Sequence, residues 1–124
     1  MFLLRSTVEQ SIQNVRRTAN VIEAEICFAS SAPIFQGHFP GKPIVPAVYL
    51  MAVCRMVAEK YRAGDCTLLA RSRFSAACVP DVLYNVKISL EESAESSVAT
   101  CSIRQGDVMH SKIVLSYGKQ ALRD

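Results

Sequence analysis

One imidazole in this 124-residue chain has a setting suited to chemistry. His38 lies in Gly37-His38-Phe39-Pro40-Gly41-Lys42-Pro43-Ile44-Val45-Pro46, where three prolines and two glycines within ten residues exclude a helix or a central strand. Proline fixes φ and removes a donor, and glycine relaxes the backbone. An imidazole with a pKa of about 6.5 is largely neutral at pH 7 and can accept a proton once burial or a backbone contact fixes its tautomer. The other histidine, His110, falls on the mixed face of the last strand and reads as structural or solvent-facing.

The elements around His38 follow from periodicity. Before the loop, Ile22, Ala24, Ile26 and Phe28 alternate with a mixed face, which predicts a strand over 21–28. After it, the run from Ala47 to about Tyr61 has no proline or glycine and carries charge only at Arg55, Glu59 and Lys60. That predicts a mostly buried helix started by Pro46, its first two turns wrapped by other structure. Strands are expected over 67–74, along Val82, Tyr84, Val86, Ile88 and Leu90, over 98–103 and over 109–117, with turns at Pro80-Asp81 and Arg104-Gln105-Gly106-Asp107. Residues 2–15 read as a short strand or turn, and 118–124 as a polar tail. One helix with five or six mainly antiparallel strands is an α+β arrangement in a single domain, residues 1–124. An open strand edge makes a dimer with a continuous sheet attractive.

Composition narrows the class. Apolar residues at 50% and charged residues at 20% describe a globular chain rather than a disordered one. The five cysteines are widely spaced with no CxxC pair, which favours neither a disulfide framework nor structural zinc and points to a reducing cytoplasm. Met1-Phe2-Leu3-Leu4-Arg5 has too short an apolar segment and no preceding basic region to read as a secretion signal, and no apolar run is long enough for a bilayer, so a soluble protein is expected. A net charge of +3 in scattered pairs without stacking aromatics argues against nucleic acid.

The spacing Phe35-x-Gly37-His38-Phe39-Pro40-x-x-Pro43-x-x-Pro46, followed by a small residue and an apolar helix, resembles the hot-dog-fold 3-hydroxyacyl-acyl carrier protein dehydratases. Weaker agreement continues through Arg73-Phe74, Pro80-Asp81 and Gly106, over about residues 20–117. The resemblance implies a curved antiparallel sheet wrapped around one long central helix, dimerised with sites at the subunit interface. It also implies loss of water from a 3-hydroxyacyl thioester on acyl carrier protein or coenzyme A to give the 2-enoyl thioester, without metal or redox cofactor, in fatty-acid or polyketide-like biosynthesis. On this resemblance His38 is the base for the carbon-2 proton and the amide of Ala47 is a donor to the thioester carbonyl. A helix-end amide is well suited to stabilise charge building on that oxygen. Gly37 and Phe39 shape the substrate side of the loop, and Val48, Tyr49, Met51, Ala52 and Phe74 are candidates for the wall of an acyl tunnel.

The chain departs from the family at one chemically decisive place. The family's helix carboxylate, which helps expel the 3-hydroxyl, falls fourteen residues after the histidine, and here that residue is Ala52. A methyl group cannot donate a proton, and general acid catalysis is worth about 10² to 10⁴ in rate. Tyr49, Cys54 and Glu59 are the nearby candidates to replace it; Arg55 and Glu59 have the i,i+4 spacing of a structural pair. Lys42, Arg71 and Arg73 either meet an acidic carrier protein or are solvated. Three functions follow: a dehydratase-like enzyme; a catalytically weak thioester-binding subunit paired with a paralogous hot-dog subunit; and a thioesterase.

Overall fold

A computed structural model of the chain describes residues 2–35, 43–60, 66–93 and 96–118, without the side chains of 2, 3 and 66–70. Among the described residues the elements are helix α1 (Phe2–Ser11), strands β1 (Ile12–Thr18) and β2 (Val21–Ile26), a 3-10 turn (Pro33–Phe35), helix α2 (Ala47–Lys60), and strands β3 (Cys66–Phe74), β4 (Tyr84–Glu92), β5 (Ser96–Gln105) and β6 (Val108–Gly118). No helix among these residues is long and apolar enough to cross a membrane.

The strands form one antiparallel sheet in the order β1-β2-β4-β5-β6-β3. Alternation decides which face is buried: in β4, Tyr84, Val86, Ile88 and Leu90 point to the core while Asn85, Lys87 and Ser89 face out. Gly106 at φ +59° makes the two-residue turn between β5 and β6, a backbone conformation that glycine adopts without steric penalty. In α2, Leu50, Val53, Cys54, Val57 and Ala58 form the i, i+3, i+4, i+7 stripe laid on the sheet. Fully burying each of the larger side chains contributes about 1.5–3 kcal/mol.

Three expectations are corrected. The sheet does not wrap around one long central helix. It is open, with β1 and β3 as unjoined edges, and its helical side carries two helices, α1 packed on α2. The second helix is only 14 residues long, about 21 Å at 1.5 Å per residue. The segment 2–15, read as a strand or turn, is instead α1 and the start of β1; Leu4 and Val8 lie four apart on the face that meets the core, with Val8 fully buried. The start of α2 is not wrapped either, since Ala47 is exposed and Val48 is 51% exposed, whereas Leu50, Val53 and Cys54 of its first two turns are buried.

The cysteines also differ from expectation. Cys54 of α2 and Cys101 of β5, 47 residues apart, are paired as a disulfide inside the core with Cα atoms 6.3 Å apart. Both are fully buried. Cys27 and Cys78 are free thiols.

Candidate functional site

The residues 36–42, which include Gly37, His38 and Phe39, lie outside the described residues, but both ends of that stretch are anchored. On the upstream side the 3-10 turn is closed by Phe35 N–H donating to Ala32 O at 3.0 Å, and Ile34 and Phe35 pack on the core. Downstream, Val45 is buried and its N–H donates to Cys78 O at 2.8 Å. Pro46 O then accepts from Tyr49 N–H at 3.0 Å and Leu50 N–H at 3.4 Å, which starts α2. The N–H groups of Ala47 and Val48 have no acceptor within the helix, as the geometry of a first turn requires. They lie at an exposed helix end carrying partial positive charge.

The segment that receives Val45, residues 75–83, is itself braced by groups that alternation alone does not reveal. Ile103 pairs with Ser111 and Arg104 with Met109, leaving His110 as the extra residue of a β-bulge. The bulge turns the imidazole inward: it is 8% exposed, its Nδ1 is 3.0 Å from Ala77 O, and its ring meets Tyr84 edge-on at 4.9 Å. Ser75 and Ala76 N–H donate to His110 O, and Tyr84 Oη accepts from Val79 N–H at 2.9 Å. Burial raises the Tyr84 pKa, offset in part by that Val79 bond, and pushes the Cys78 thiol up to about 11. Asp81, at φ +63°, donates its N–H to Phe28 O and accepts from Ser30 N–H, contacts with Ser30 that hold its carboxyl below the usual range. Of the two alternatives for His110 the structural one holds and the solvent-facing one does not; the brace that it forms with Asp81 and Tyr84 is what the sequence reading missed. The Pro80-Asp81 turn was its one visible sign.

The predicted tunnel residues divide. Tyr49, Met51 and Ala52 are half-buried against the core, with the Tyr49 ring edge-on to Phe28 at 6.4 Å. Val48 and Phe74 remain outside the core cluster, Phe74 being 40% exposed at the end of the edge strand β3. Ala52 borders a cleft of about 300 Å³ between α1 and α2, lined by Leu4, Arg5, Arg55, Met56 and Glu59 as well. Ala52, where the resemblance sets the helix acid, is thus a lining residue of an open groove.

Two of the three replacements for that acid are already engaged. Cys54 is bonded to Cys101. Glu59 Oε2 accepts from Arg55 Nε and from Tyr117 Oη, each at 3.1 Å, and the second of these contacts crosses 58 residues of sequence. The third, Tyr49, holds a half-buried ring packed edge-on against Phe28.

The profile of the ApeI-like family, described as ApeI dehydratase, matches residues 13–113. The chain belongs to this hot-dog-fold dehydratase family, as a divergent, dehydratase-like member. No curated protein sequence matches it significantly. Among solved structures it is similar to the dehydratase heterocomplex ApeI:P from Xenorhabdus doucetiae, at 15% identity, 87% coverage of this chain, 96% of that one and a TM-score of 0.72. It is similar to an uncharacterised protein from Erwinia carotovora, at 20% identity, 84% and 89% coverage and a TM-score of 0.61. A hypothetical thioesterase from Streptococcus pneumoniae, solved with coenzyme A, is similar at 11% identity, 94% coverage of each chain and a TM-score of 0.66. At these identities the structures speak for the fold that the family carries.

Proposed function

We propose that the chain is a thioester-binding subunit of a two-subunit hot-dog dehydratase, catalytically weak by itself, with a paralogous subunit supplying the acid. The substrate class is a 3-hydroxyacyl thioester on acyl carrier protein or coenzyme A, and the product is the 2-enoyl thioester. His38 accepts the carbon-2 proton, and the Ala47 amide receives the charge that builds on the thioester oxygen. Gly37 and Phe39 shape the approach, and Tyr49, Met51 and Ala52, with Val48 and Phe74 at the margins, contact the acyl group.

The observation that carries this reading is the methyl of Ala52 at the acid position, beside a Glu59 already held by Arg55 and Tyr117. Expulsion of the 3-hydroxyl as water needs a donor; Cys54 and Glu59 are already engaged, and Tyr49 is packed edge-on against Phe28. The solved ApeI:P heterocomplex supports pairing with a second hot-dog subunit as the source.

The test is turnover of 3-hydroxyacyl carrier thioesters by the purified chain, alone and mixed with hot-dog subunits that carry the helix carboxylate. Enoyl product at least about 10²-fold faster in a mixture, and lost with His38→Ala, is expected. Full turnover by the chain alone would reject the weak-subunit reading. Free thiol released without enoyl product would assign hydrolysis instead.

A further inference from the structure

One side of α2 is apolar although the sheet does not use it. Leu50, Val53, Cys54, Val57 and Ala58 are the residues that the helix buries, whereas Val48, Ala52 and Met56 stand four apart on another side. Val48 is exposed and the other two are half-buried. A helix side turned from the core is ordinarily polar, yet charge in α2 begins only at Arg55.

The first helix supplies the facing bank. Two clefts run between α1 and α2, one of about 300 Å³ that takes in Leu4 and Ala52, the other of about 490 Å³ that takes in Ile12 and Val15. Arg5, Met56 and Glu59 line both, so the clefts form one trench with Met56 where its two parts join. From Ala52 to Lys60 at its far end the trench follows α2 for about 12 Å at 1.5 Å per residue. Its banks pair their charges along themselves: Arg5 Nε lies 3.5 Å from Glu9 Oε2, and Arg55 Nε donates to Glu59 Oε2 at 3.1 Å. Such banks over an apolar floor of Leu4, Ile12, Val15, Ala52 and Met56 suit a neutral, flexible chain better than a charged peptide.

We propose that this trench holds the distal part of the acyl chain and that Met56 sets the length of chain it accepts. The inference deepens the proposed function and rests on it for the thioester head, which the reading places at the Ala47 amide. From that amide Val48, Ala52 and Met56 lead along the helix turn by turn. Methionine is unbranched and has three rotatable side-chain bonds, so at the join it can swing aside to connect the first part with the second. Each methylene laid in the trench contributes about two- to fourfold in affinity, according to how much of it is covered.

The test is calorimetric binding of hexanoyl, decanoyl and tetradecanoyl coenzyme A thioesters to the full chain and to Met56→Trp and Met56→Ala, each checked by its melting curve. A decanoyl thioester with a diazirine at its last carbon is also photolysed on the wild type, and the labelled residues are located by mass spectrometry. Decanoyl is expected to bind at least about tenfold tighter than hexanoyl. Met56→Trp should remove most of that gain, Met56→Ala should move it towards tetradecanoyl, and the label should fall on Met56 or within residues 4–15. Affinities that ignore chain length, or no binding of any of the three, overturn the proposal. So does a length profile that both variants leave unchanged. If neither variant folds, the label decides: on β3 or β6 it places the chain elsewhere and rejects the trench. A Met56→Trp chain with an altered sedimentation coefficient and an unaltered length profile would make the trench a contact between subunits, which also overturns it. Length dependence and label as expected, with no subunit mixture dehydrating a thioester, would sink the functional reading and leave the trench. Dehydration by a mixture with a length profile blind to Met56 would do the reverse.

Discussion

The two halves of α2 are used differently. From Val53 to Lys60 its inward groups are committed: Cys54 to Cys101, Glu59 to Arg55 and Tyr117, Val57 and Ala58 to the core. From Ala47 to Ala52 only Leu50 is buried, the first amides have no acceptor in the helix, and the residue at the family's acid position is a methyl at a groove. A helix that is anchored at one end can leave the other end available for a ligand. The C-terminal half supplies stability, and on the proposed function the N-terminal half is where chemistry is gained or lost.

The largest way to break this contrast is Ala52→Glu. It is expected to raise dehydration by the chain alone by on the order of 10²-fold, with little change in the urea midpoint; an unchanged rate would mean that the missing acid is not the limitation. On the committed side, Val57→Ala should cost about 2 kcal/mol in chemical denaturation, through lost burial and an incompletely collapsed cavity.

The brace that leads into the N-terminal half has its own pH dependence. Cys78 and Tyr84 both have folded-state pKa values raised by burial, so the stability they contribute is present below their unfolded values and lost as pH rises through the folded ones. With Cys78 moved from 9.0 to about 11, the urea midpoint is expected to fall across that window, and Cys78→Ala should flatten the fall. The smallest effect sharpens the comparison at the other end. Tyr117→Phe removes one hydrogen bond from Glu59, which keeps Arg55, and should cost about 1 kcal/mol with no effect on turnover.

Local features of this chain were legible in its sequence where one period governed them. The strands around Ile22–Ile26 and Tyr84–Leu90, the glycine turn at Gly106 and the span of α2 all follow from alternation, turn chemistry or a helical stripe. Curvature did not, because whether a sheet wraps or stays open depends on how six strands twist and pair together, which no single segment encodes. The helix α1 was missed since its stripe is short and its stability comes from packing on α2. The inward turn of His110 was hidden by a bulge that breaks the period of two. The loss of the acid at Ala52 could be counted from His38 along the chain. The pairing of Glu59 with Arg55 was legible in their i,i+4 spacing, but the bond from Tyr117 to Glu59 and the engagement of Cys54 were not, because those partners lie 58 and 47 residues away.

The bulge at His110 also sets which length changes the last hairpin tolerates. Excising that single residue would let β5 and β6 run in plain register to the turn, a gain on paper for the ladder. It would leave the Ala77 carbonyl and the Tyr84 ring without their neighbour, and the segment that seats Val45 would lose its footing. An added residue beside Gly106 and Asp107, at the exposed tip, disturbs none of this. Evolution of this hairpin should therefore lengthen it at the tip before it shortens it at the bulge.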